Sequence, residues 1–179
     1  MIDYYIFTST GNAVAVGDLT NGTAWISDGT VNSPTRGMWI AGGPGSSNVI
    51  DYITMATTGN AADFGDASLA RSDACGVCNA VRGAWGGGYA SPADRNIIDY
   101  ITIASLGNAL DFGDMTIASR RYAACSSPTR GVWGGGHTPS ATDVIDYITI
   151  TREGNAVDFG NLTSATYEAA GLSNGHGGL

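Results

Sequence analysis

The sequence predicts an all-β fold: a β-propeller of four-stranded antiparallel blades, in a single repeat domain spanning residues 1–179. Three observations predict it. Ile-Asp-Tyr recurs at Ile2, Ile50, Ile98 and Ile145, intervals of 48, 48 and 47 residues, and Gly-Asn-Ala recurs in step at Gly11, Gly59, Gly107 and Gly154. Each repeat holds four short runs of strand-forming residues bounded by turns. No window of a dozen residues carries an apolar stripe at helical spacing. Four strands in about 40 to 50 residues is the size of a propeller blade, a unit that cannot bury its own face and needs neighbours to supply the core.

The last full repeat shows the elements in order. Tyr122-Ala123-Ala124-Cys125 is a short run of small residues, fit for a crowded inner strand. Gly131-Val132-Trp133 follows and ends in glycines, as its counterparts do after Arg36 and Arg82. Asp143 to Ile150 is rich in β-branched and aromatic residues, as a strand should be. The closing run, seen one copy earlier as Ala109 to Asp114, alternates apolar and polar residues with period two. Full blades are expected at Thr23–Asp66, Ser68–Asp114 and Thr116–Asn161. The N-terminal runs Ile2 to Phe7 and Ala13 to Asp18 supply a third and a fourth strand only, and Tyr167 to Leu172 supplies one more first strand. Joined within the chain, the favoured arrangement, these ends complete a fourth blade. Joined between two chains, they give an eight-bladed ring. A start inside a blade also fits a piece of a longer repeat array.

Composition narrows the function. Gly makes up 27 of 179 residues, roughly twice ordinary usage, and charged residues are only 13%. The formal net charge is -8, and every basic residue is Arg. Binding nucleic acid through phosphates needs a basic footprint that this chain lacks, so no nucleic-acid partner is expected. No run of 18 apolar residues predicts a membrane span, and the N-terminus lacks the basic start and apolar core of a signal peptide. A phosphate loop of the Gly-x-x-x-x-Gly-Lys type is impossible without Lys.

The repeated residues have readings as scaffold and as site. Asp51, Asp99 and Asp146, with Asp63, Asp111 and Asp158, can accept backbone N–H bonds in turns or ligate calcium; no twelve-residue calcium loop is visible, and turn bonding is favoured. Arg36, Arg82 and Arg130 are expected to pair with aspartates between blades. Trp39, Trp85 and Trp133 either fill space between blades or stack on sugar rings. Cys75 and Cys78 form one Cys-Gly-Val-Cys pair with no partner pair at zinc spacing, so neither metal nor cofactor is expected. His137 and His176 belong to no nucleophile–base arrangement, and the protein is read as a non-enzyme. What differs between copies is the better place for recognition. The segments after the glycines hold Tyr89, Asp94, Arg95 and His137, the candidate ligand contacts, on one face of the ring.

The run Arg120, small strand, Gly131-Val132-Trp133-Gly134-Gly135 resembles the kelch-type β-propeller, whose hallmark is a double glycine closing the second strand. The later Trp of that pattern is missing here, and Asp-Phe-Gly-Asp stands near its place. The wording Ile-Asp-Tyr-Ile-Thr-Ile-x-x-x-Gly-Asn-Ala-x-Asp-Phe-Gly-Asp is similar to repeats of uncharacterised proteins encoded by marine cyanophages, over nearly the full chain. That resemblance implies a component of a phage particle, often a tail fibre, made in the host cytoplasm. The function it implies is a structural or binding module that recognises a host surface glycan or protein. The rivals are a protein-assembly propeller, using an open edge strand to self-associate, and a glycan-degrading enzyme.

Overall fold

A computed structural model describes residues 1–6, 8–20, 29–40, 42 and 46–173. The sequence expectation for His176 lies outside the described residues. Among the described residues the regular structure is entirely β, in three four-stranded antiparallel sheets and two smaller pairs. Unit 1 is the pair β1 (Ile2–Tyr4) and β2 (Val14–Gly17). Unit 2 is β3 (Thr30–Asn32), β4 (Arg36–Ile40), β5 (Ser47–Thr54) and β6 (Ala62–Arg71), paired in chain order. Unit 3 is β7 (Cys75–Cys78) and β8 (Arg82–Gly86), a short hairpin β9 (Tyr89–Ala90) and β10 (Ala93–Asp94), then β11 (Ile97–Thr102) and β12 (Leu110–Asp114). Unit 4 is β13 (Ala123–Ser126), β14 (Arg130–Gly134), β15 (Thr142–Thr149) and β16 (Val157–Thr166).

The four strands per repeat and their phase match the sequence expectation, and unit 1 holds the equivalents of a third and a fourth strand. Two details differ. The stretch after Gly87-Gly88, expected as a variable loop carrying candidate ligand contacts, folds into the β9–β10 hairpin. Residues 167–172 form no strand. A first strand needs the second strand of its own sheet to bond to, and none of the described strands pairs with this segment. The segment still takes its place in space, because Gly171 lies against the backbone of Ala124 as Gly76 lies against Thr30.

The sheets stack face to face, and alternation along each strand sends residues to opposite neighbours. Val31, Met38, Ile50 and Phe64 of unit 2 meet Trp85, Ile101 and Ile103 of unit 3. From the other face of unit 3, Val77, Ile98, Tyr100 and Phe112 meet Trp133, Ile148 and Ile150 of unit 4. The first strands β3, β7 and β13 lie beside one another, so their small residues sit where backbones crowd.

One junction recurs between successive units. The Gly-Asn-Ala turn of the later unit donates Gly59, Gly107 and Gly154 N–H to Val16, Phe64 and Phe112 carbonyls at 3.0, 2.9 and 2.8 Å. Ala61, Ala109 and Ala156 N–H then reach the Asp18, Asp66 and Asp114 carbonyls at 2.8, 2.7 and 2.8 Å. In return Asp18, Asp66 and Asp114 N–H donate to the side-chain oxygens of Asn60, Asn108 and Asn155 at 3.0, 3.0 and 3.1 Å. Gly65 and Gly113 sit beneath these turns at φ of 145° and 143°, where a Cβ would collide with the Gly107 or Gly154 backbone. The repeated aspartates complete the junction. Asp51 and Asp146 each accept the N–H and hydroxyl of Thr20 and Thr116, and Asp99 accepts the Ser68 N–H.

Candidate functional site

The variable loops converge at one end of units 3 and 4. Gly87-Gly88 and Gly135-Gly136 adopt positive φ of 66°, 108°, 72° and 111°, turning the chain sharply after β8 and β14. The β9–β10 hairpin then pairs Tyr89 with Asp94, and Tyr89 also bridges to Ser72. The connector from β12 to β13 runs beneath: Gly88 N–H donates to the Ser119 carbonyl, and Arg120 and His137 exchange backbone bonds.

This geometry gathers all four expected contact residues. The Arg120 guanidinium lies over the Tyr89 ring at 4.6 Å from its centroid, within cation–π range. Its Nε faces Asp94 Oδ1 at 3.5 Å, an ion pair without hydrogen-bond alignment. The Arg95 guanidinium donates to the Ala90 carbonyl at 3.0 Å. The His137 ring meets Tyr167 edge to face, with centroids 5.2 Å apart. Arg121 alongside is committed to Asp73 and Glu168.

The cluster concentrates unmet hydrogen-bonding capacity. Asp94 Oδ1, Arg95 Nε, Arg120 Nε, Ser119 Oγ and His137 Nδ1 are buried with no hydrogen-bond partner among the described residues. Buried polar atoms are nearly always paired, and one left unpaired costs about 1–3 kcal/mol. Arg120 and Asp94 face each other as an ion pair, and Arg95 Nε, Ser119 Oγ and His137 Nδ1 add unmet polar capacity in the same loops, which also carry Tyr89 and Tyr167 and hold two arginines to one aspartate.

The remaining candidates serve the scaffold. Trp85 and Trp133 are 0% exposed, and their Nε1 groups donate across the units to the Gly29 and Cys75 carbonyls, both at 2.9 Å. Trp39 is half-buried, its unit facing the two-stranded unit 1. The expected arginine–aspartate bridges between units are not what Arg36 and Arg82 make. They stack on Tyr52 and Tyr100 and donate to the Ile103 and Ile150 carbonyls. Asp51, Asp99 and Asp146 are already sealed inside the junctions, Asp63, Asp111 and Asp158 are taken up by local turn bonds, and the carboxylate that Arg82 does meet is Glu153 at 3.4 Å. Arg130 stacks on Tyr147 in the same way at 4.8 Å. Asp63, Asp111 and Asp158 accept the N–H two residues on, a local turn bond. Cys75 and Cys78 lie on β7, the Cys75 thiol donating to the Tyr122 carbonyl at 3.3 Å and that of Cys78 to Asn32 Oδ1 at 3.4 Å.

The sequence reading missed Arg120, Ser119 and Tyr167 as members of the cluster. They lie in the connector after the fourth strand, and the signal was there: the equivalent positions across copies read Ser72, Arg120, Tyr167 and Arg71, Ser119, Thr166. No protein-family model and no curated protein matches the chain.

Proposed function

We propose that the chain is a non-enzymatic binding module whose units are propeller-type blades, and that its loop cluster recognises a glycan carrying carboxylate groups on a host surface. The observation that carries this reading is the convergence of the Arg120–Asp94 ion pair with the unpartnered Arg95 Nε and His137 Nδ1, flanked by Tyr89 and Tyr167. Sugar hydroxyls need both donors and acceptors, a sugar ring presents C–H faces to aromatics, and a planar guanidinium suits a carboxylate. The blade reading is supported by the side-by-side first strands and the repeated junctions. The assignment to a phage particle rests on the resemblance of the repeat wording to cyanophage proteins.

The test is binding to an array of surface polysaccharides, followed by titration calorimetry on the best acidic oligosaccharide. Arg120→Ala and His137→Ala should each weaken binding about tenfold or more, close to 1.4 kcal/mol per factor of ten. Absence of binding to every surface polymer, or binding indifferent to both substitutions, overturns the proposal.

A further inference from the structure

The two ends of the unit stack carry the two unmatched halves of the recurring junction. We infer that a second copy of this chain docks there head to tail, its Gly11-Asn12-Ala13 turn seated on β16. The inference does not depend on the glycan reading.

The donor half is on unit 1. Ala61, Ala109 and Ala156 are buried by their junctions, as are Asp51, Asp99 and Asp146, whereas their counterparts Ala13 and Asp3 are exposed. The acceptor half is on unit 4. Phe64 and Phe112 are 3% exposed beneath a following unit, whereas Phe159 in the same place is 57% exposed. A Cβ on Gly160 would meet nothing, whereas one on Gly17, Gly65 or Gly113 would meet the next unit's turn.

The uncovered half is already in its joined shape. Phe159 meets Tyr147 at 5.9 Å and 84°, as Phe64 meets Tyr52 at 5.8 Å and 84°. Asp158 holds the Gly160 N–H at 2.8 Å, as Asp111 holds that of Gly113 at 3.1 Å. Gly160 keeps a φ of 138°. By repeat position, Gly11 and Ala13 N–H reach the Phe159 and Asn161 carbonyls, the Asn161 N–H reaches the Asn12 side chain, and Thr163 caps Asp3. Such a contact uses different patches on the two copies, so it closes a ring or extends a chain according to the rotation per step.

Sedimentation velocity and light scattering over a wide concentration range test this on the full chain. The mass should rise with concentration. Phe159→Arg removes the acceptor end and Asp3→Arg the donor end, both at exposed positions, so each variant alone should stay monomeric and folded by circular dichroism. An equimolar mixture should form one-to-one dimers, because each variant keeps one working end. A concentration-independent monomer for the parent overturns the inference. So does association that survives either substitution, or a mixture that stays monomeric.

Discussion

Arg71 offers a sharp test of how the junction works. Its guanidinium and the Asp99 carboxylate are both 0% exposed, 2.7 Å apart. It also donates to the Gly87 and Trp85 carbonyls at 2.9 and 3.3 Å. In the neighbouring junctions Asp51 and Asp146 take a threonine hydroxyl, whereas at Asp99 the matching residue is Ser68, which gives only its N–H. Arg71 thus stands in for the missing threonine. Arg71→Ser, which copies Ser119 from the next unit, leaves a buried carboxylate with one N–H. Breaking a buried pair by removing one partner costs about 3–5 kcal/mol. For a chain of this size that lowers Tm by roughly 6–20 °C, at about 2–4 °C per kcal/mol. Adding Ser68→Thr should return about 1.5–3 kcal/mol, because the β-branched side chain holds its hydroxyl toward the carboxylate as Thr20 and Thr116 do, a hydrogen bond to a charged group that Ser68 leaves unmade. Denaturant titration and calorimetry on the parent, single and double variants decide it. A loss under about 1 kcal/mol for Arg71→Ser, or no recovery in the double variant, refutes the account of the junction.

Other outcomes follow from the same geometry. Trp133→Ala should cost about 3–5 kcal/mol, read by denaturant titration, since the ring is wholly buried between units 3 and 4. Asn155→Ala should cost about 0.5–1.5 kcal/mol in the same assay, the net worth of one hydrogen bond at an exposed site, because the Asp114 N–H loses its acceptor to water. Burial pushes the Tyr122 phenol above its ordinary value of 10. The neutral form is the one the fold favours, so stability is undiminished below pH 10 and falls above it; alkaline titration of Tyr122→Phe should show a shallower fall than the parent. Burial likewise raises the Cys125 thiol, so its alkylation at pH 8 should run slower than that of a free cysteine and speed up as pH rises.

The strand phase was legible because the period-two and β-branched signals recur with each repeat, and a residue that recurs in every copy serves what every copy shares. That logic placed the aspartates in the scaffold and drew Tyr89, Asp94, Arg95 and His137 toward one site. It failed where a single copy departs from the pattern. Arg71 has no basic counterpart at Ser119 or Thr166, so its burial against Asp99 left no trace in the repeat. The partners of Arg36 and Arg82 were misassigned because a backbone carbonyl has no sequence signature and Glu153, the carboxylate Arg82 meets, replaces Thr58 and Leu106 of the other copies. Residues 167–172 have the small-residue wording of a first strand, but pairing depends on a neighbour that wording cannot supply.

The central claim is that one hydrogen-bonded junction joins unit to unit and stands half-made at both ends. Site-resolved amide exchange on dilute and concentrated samples tests it most directly. In dilute solution the account predicts protected amides at Gly107, Ala109, Gly154 and Ala156 and rapid exchange at Gly11, Ala13 and Asn161, with protection of those last three appearing on concentration. Fast exchange at Gly107 and Ala109, or protection of Gly11 and Ala13 at every dilution, would contradict it.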